Sequence, residues 1–126
     1  MISMTPVLLG NSFPLSLIRR AVHIERRALE ELREAVGERG CLSYWGHSNT
    51  LAAAREFLGF DPTPSEGRPV LALNGDLLPA MNGVAFDEVW VLSPDYAEGF
   101  RPKIDREVTP EQILGWQVLR LQFSDN

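Results

Sequence analysis

Short apolar runs and charged stretches with helical spacing alternate along this chain, and glycines and prolines mark most of the changes from one to the other. T-P-V-L-L-G is apolar and stops at Gly10, which predicts a strand over Pro6–Leu9. N-S-F-P-L-S-L-I reads as a turn with room for one helical turn. In A-V-H-I-E-R, Val22 and Ile24 alternate with His23 and Glu25, the pattern of a half-buried strand. Between Ala28 and Val36 the period changes. Leu29, Leu32 and Val36 share one helical face against Glu30, Glu31, Arg33 and Glu34, with Gly37 as the expected cap. C-L-S-Y-W is another short apolar run, ended by Gly46, and a helix from about Asn49 to Leu58 is expected to stop at Gly59.

F-D-P-T-P-S-E-G has loop composition, R-P-V-L-A-L reads as a strand, and the N-G-D after it is a turn signal. D-E-V-W-V-L reads as a buried strand, whereas the pattern assigns no element to L-L-P-A-M-N-G-V-A-F before it. S-P-D-Y-A-E-G-F-R-P-K-I-D-R-E reads as a long polar loop, of the kind that is often functional. Thr109, Pro110 and Gln112 make a capping box with proline at the first helical position, predicting a short helix. Q-V-L-R-L-Q-F then alternates as a last strand. Interleaved strands and helices give an α/β class, a mixed β-sheet of about five strands flanked by helices.

Composition narrows the classes. At 126 residues, one domain over 1–126 is expected. No apolar run approaches a membrane span, and the N-terminus has no signal-peptide pattern, so a cytoplasmic setting is expected. The single cysteine, Cys41, fits a reducing compartment and excludes an internal disulfide. A net charge of −5 argues against a general DNA or RNA binder, which works by neutralising phosphates. A small anionic ligand needs only local donors and remains compatible.

Motif chemistry is sparse. There is no P-loop, G-x-G-x-x-G, paired-histidine metal spacing or G-x-S-x-G elbow, so no cofactor or metal is implied. What stands out is W-G-H-S-N-T before L-A-A-A-R-E-F-L. With Ser48 or Asn49 as cap, His47 would lie beside free backbone N–H groups at a helix start, where phosphate binds and an imidazole can protonate a leaving oxygen. A lone histidine before a helix is nevertheless more often a surface residue than a catalyst. His23, within an alternating strand, has the surface reading too. The three tryptophans read as core or interface anchors, with base stacking open only to Trp45 or Tyr44.

The chain resembles the small viral ring nucleases, anti-CRISPR proteins that cleave the cyclic tetra-adenylate messenger of type III CRISPR systems, and their bacterial relatives. W-G-H-S-N-T-L-A-A-A-R-E-F-L-G carries the resemblance most specifically, being similar to the family's G-H-x-S/T-T segment and the helix after it. V-L-L-G-N-S-F, G-R-P-V-L-A-L, Y-A-E-G and T-P-E-Q-I-L follow in the family's order. The resemblance implies His47 as general acid. It also implies a binding set of Asn11, Asn49, Thr50, the strand-opening Arg68 and the loop Glu98. The family's serine after the first-turn phenylalanine is Pro14 here, leaving Ser12 or Ser16 to replace it. The family's arginine three residues before the loop glutamate is Asp95 here, with Arg101 as a substitute from beyond Gly99. Residues 77–86 are an insertion relative to the family.

What the resemblance implies is metal-independent cleavage of a cyclic oligoadenylate by a cytoplasmic homodimer, in the host cell's cytoplasm if the source is viral. The ring would lie across the two-fold axis and no membrane would be involved. A 2′-hydroxyl attacks the neighbouring phosphate and His47 protonates the leaving 5′ oxygen, giving linear products with 2′,3′-cyclic phosphate. The rival is a non-catalytic module that sequesters a cyclic nucleotide, or a protein-interaction protein. Asp95 favours the rival, and the His47 setting favours the enzyme.

Overall fold

In a computed structural model, residues 5–45, 50–62, 70–102 and 106–124 are described. The order of elements is β1 (Val7–Gly10), β2 (Val22–Arg26), α1 (Leu29–Arg39), β3 (Cys41–Tyr44), α2 (Leu51–Leu58), β4 (Leu71–Leu73), β5 (Pro79–Met81), β6 (Val84–Ala85), β7 (Glu88–Tyr96) and β8 (Ile113–Phe123). Single 3-10 turns stand at Leu15–Leu17 and Pro110–Gln112. Five strands form one mixed sheet in the order β2-β8-β7-β1-β3, and β4-β5-β6 form a second, smaller one. β1 runs parallel to β3 and β7, and β8 is antiparallel to both β7 and β2. The carboxyl ends of β1, β2, β3 and β7 therefore share one edge, with β8 alone reversed.

Side-chain alternation gives the large sheet two buried faces. Val7, Leu9, Trp90, Leu92 and Val118 point to one face and meet Leu32 of α1 and Ala54 and Leu58 of α2. Leu8, Val89, Val91, Leu121 and Phe123 point to the other and meet Met81 and Phe86 of the 77–86 segment. Each large apolar side chain so buried stabilises by about 1.5–3 kcal/mol relative to exposure. β1 and β7 contribute to both cores, which explains why they read as continuous apolar runs rather than alternating ones.

Local chemistry sets the boundaries. α1 starts where the Glu31 carboxylate accepts from the Ala28 N–H at 3.0 Å. Gly37 does not end it: the helix continues to Arg39, and Gly40, at φ +73, donates its N–H to the Val36 carbonyl. Gly37 lies on the exposed face, where a glycine can continue the helix at a modest cost. α2 stops at Gly59 as expected, at φ +82. Arg33 of α1 donates to the carbonyls of Leu58 and Phe57, a cation set on the negative end of α2.

Two further readings are corrected. S-P-D-Y is not loop, because β7 continues to Tyr96, paired along β8 back to Ile113 with a bulge at Asp95/Tyr96. Polar Ser93 and exposed Asp95 hide the strand from a hydrophobicity pattern, but pairing with β8 satisfies their backbone. The capping box also holds, with the Thr109 N–H on the Gln112 side-chain oxygen at 2.9 Å, yet it closes only a 3-10 turn before β8 takes over. The unassigned 77–86 segment is β5 and β6 with Asn82 and Gly83 between them, both at positive φ.

Candidate functional site

Chemistry is expected where parallel strands present their carboxyl ends, since ligands of open α/β sheets bind in the crevice outside them. Here the chain delivers Asn11 and Ser12 just after β1, and Tyr44 and Trp45 at the end of β3, with Gly10 and Tyr44 paired side by side. The approach is close. A Cβ on Gly10 would lie 2.6 Å from the Tyr44 carbonyl oxygen and 3.3 Å from that of Ser12, so only glycine fits.

The residues on either side of 46–49 are tied to each other. Trp45 Nε1 donates to the Thr50 hydroxyl at 3.1 Å, and Thr50 is only 2% exposed. An internal hydroxyl in this role cannot be traded for an apolar group without leaving the indole N–H unpaired. His47 and Asn49 fall between these two residues in sequence and, like Arg68, lie outside the described residues.

Of the described candidates, Asn11 and Ser12 follow β1 at this edge, and Thr50 is buried and bonded to Trp45, just beyond the neighbouring β3. Ser16 lies away from them. Beyond Ser12 the chain turns back over the sheet, with Phe13 already 6.0 Å from Phe123 at the far end of β8, and Ser16 sits exposed in the 3-10 turn with its carbonyl held by Arg19. Glu98 is at the same end of the sheet but further out. Gly10 pairs with Val91, and Tyr96 is five residues on, about 16 Å along the strand. There Ala97–Phe100 form a turn with Gly99 at φ +80, and Glu98 is exposed at its tip. Asp95, where the resembled family has arginine, accepts from the Gln117 amide at 3.1 Å.

The large cleft elsewhere is a packed polar network. About 260 Å³ in size, it lies between α1 and the sheet and is lined by residues including Glu34, Glu38, Arg39, Glu88 and Arg120. Several of its polar groups are already engaged. Glu88 accepts from the Trp90 indole and Gln122, Arg39 reaches Asp87 at 2.6 Å, and Arg120 lies over the Trp90 ring and bonds Glu25. Burial raises the Glu25 carboxyl, but Arg27, Arg120 and His23 together outweigh it and hold it below the usual carboxylate range. His23 is accordingly a surface partner of Glu25, at 2.8 Å. Among the described residues no group of three His, Cys, Asp or Glu side chains is placed to hold a metal ion. Nor is any described helix long and apolar enough to cross a membrane.

Comparison of the sequence with family models and with curated proteins gives no match. By structure, the chain is similar to B116 of Sulfolobus turreted icosahedral virus, with a TM-score of 0.57 over 93% of this chain and 98% of that one, at 13% identity. The fold is shared with a viral protein. At that identity the likeness speaks for the fold alone.

Sequence alone did not reveal the Trp45–Thr50 tie or the steric demand at Gly10. A glycine followed by Asn-Ser at a strand end was the available signal for the second; nothing in the sequence signalled the first.

Proposed function

We propose that this protein is a metal-independent ring nuclease that binds a cyclic oligoadenylate, cyclic tetra-adenylate foremost, and cleaves it to linear products ending in 2′,3′-cyclic phosphate. The observation that supports this reading is that Asn11 and Ser12 follow β1, while Trp45 and Thr50, which bracket residues 46–49 in sequence, follow the neighbouring parallel strand β3. His47 serves as general acid toward the leaving 5′ oxygen, a role worth roughly 10²–10⁴-fold in rate. Asn49 and Arg68 complete the donors, and Glu98 belongs to the outer loop. The protein acts as a cytoplasmic homodimer, in the host cell's cytoplasm if its source is viral, because a two-fold assembly presents the same groups to equivalent phosphates of a symmetric ring. Such cleavage would turn off type III CRISPR signalling.

Asp95, bonded to Gln117 where the resembled family has arginine, favours a second reading, a module that only sequesters the cyclic nucleotide. One experiment separates the two. The protein is incubated with a panel of cyclic oligoadenylates in EDTA and the products are resolved by chromatography. Linear products with a cyclic phosphate end support the nuclease, whereas binding without turnover supports sequestration. Absence of both overturns the nucleotide reading altogether.

A further inference from the structure

The outer loop between β7 and β8 holds a second feature that the edge does not explain. Phe100, Arg101, Arg106, Glu107 and Gln112 line a cleft of about 120 Å³. Among the described residues, Arg101 and Arg106 are the arginines with no hydrogen-bond or ion-pair partner. The others each reach a carboxylate, a backbone carbonyl or, for Arg26, the Gln117 amide oxygen. Two exposed guanidinium groups in an acidic chain, both lining one small cleft, form a concentrated positive site.

The walls are fixed from both sides. Ala97 N–H donates to the Gln112 carbonyl at 2.8 Å, Phe100 N–H closes on the Ala97 carbonyl at 3.0 Å, and the Phe100 ring packs 5.4 Å from Tyr96. On the return arm Val108 is buried at 1% exposure. The Gln112 side-chain oxygen is committed to the Thr109 N–H, which leaves its amide NH₂ as a further donor. Among the described residues, the lining thus offers two guanidiniums and an amide donor against one carboxylate, Glu107. A volume of about 120 Å³ is well below the roughly 300–1,000 Å³ of a whole-ligand pocket, so it suits a single charged group.

We propose that Arg101, Arg106 and Gln112 form an anion subsite for one phosphate group. A guanidinium pair provides the planar, multidentate donors that a phosphate's oxygens accept. The subsite stands about 16 Å or more beyond Gly10 along the sheet. It would therefore hold a phosphate distant from any bound at the edge, either a phosphodiester of an extended oligonucleotide or a free phosphate ion. It does not depend on the ring nuclease reading.

The test follows arginine Nε–Hε resonances by NMR in the intact protein at constant ionic strength set with chloride. Inorganic phosphate and the dinucleoside monophosphate ApA are titrated separately. Saturable shifts confined to Arg101, Arg106 and the Gln112 amide with either probe support the subsite, and the tighter probe identifies the source. Arg101→Gln and Arg106→Gln should each weaken binding at least about tenfold, as for loss of a charge-assisted contact, while Arg19→Gln leaves it unchanged. Equal weakening by Arg19→Gln, or shifts spread over all exposed arginines, would overturn it. Phosphate binding here without cyclic oligoadenylate binding sinks the proposed function and keeps the subsite; the reverse result does the opposite.

Discussion

The indole N–H of Trp45 donates to the buried hydroxyl of Thr50 at 3.1 Å, joining the end of β3 to the start of α2. That bond holds both flanks of residues 46–49 against the main core, where Trp45 packs with the residues of α2. A double-mutant cycle with Trp45→Phe and Thr50→Val isolates it. The expected coupling is about 0.5–1.5 kcal/mol, measured by urea unfolding, because either substitution alone removes this one hydrogen bond. Strictly additive costs would show that the contact contributes nothing to stability.

Two glycines should respond with opposite signs. Gly10→Ala drives a methyl to 2.6 Å from the Tyr44 carbonyl, a backbone atom that cannot swing away, and should cost about 1–3 kcal/mol. Gly37→Ala meets nothing within 4 Å and lies inside α1, so it should stabilise by roughly 0.5–1 kcal/mol. Thermal melts of the two variants check both signs.

Most of the architecture was legible because apolar spacing reports which side chains face a core. Leu29, Leu32 and Val36 in α1 sit where their period puts them, packed on the main core, whereas in β2 the alternation holds only for Val22: Ile24 is 51% exposed and Glu25 is half-buried. Spacing failed where backbone pairing rather than burial decides. The outer part of β7, with Ser93 and Asp95, is polar and still paired to β8. Asn82-Gly83 was a readable hairpin signal between Met81 and Val84, hidden by Pro79 and the shortness of the flanking strands. Of the candidates that the resemblance named, Asn11 and Ser12 follow β1 and Thr50 opens α2, as the spacing of elements led one to expect, whereas nothing local reveals that Phe13 turns the chain back toward Phe123 and carries Ser16 away from them.

Acid should weaken the fold partly through Glu25. Its pKa in the folded state lies below its ordinary value, because Arg27, Arg120 and His23 outweigh the opposing effect of burial. A lowered folded pKa means that the unfolded chain takes up its proton first. The contribution is therefore present above the unfolded value and lost as pH falls through the folded one. Wild type should exceed Glu25→Gln in stability near neutrality, and the gap should close as pH drops below the usual carboxylate range. Denaturant midpoints measured across that range provide the check; a gap independent of pH would rule out this ionisation as its source.

The proposed chemistry makes its sharpest demand on His47. If an imidazole protonates the leaving 5′ oxygen, His47→Ala should slow cleavage of cyclic tetra-adenylate by roughly 10²–10⁴-fold, the usual worth of general acid–base catalysis. Binding should persist, since Asn11, Thr50 and the remaining donors do not pass through the imidazole. The mutant should then trap intact ring, which single-turnover assays and equilibrium binding can measure side by side. A bound phosphate stabilises the protonated imidazole and the positive end of a helix opposes it, so the two influences act in opposite directions on the acid's pKa. The single-turnover rate of the wild type should accordingly fall at high pH, as the acid loses its proton, and this falling limb should vanish in His47→Ala. A mutant as fast as wild type would remove His47 from the mechanism. Loss of affinity with an unchanged rate at saturating ring would make it a binding residue instead.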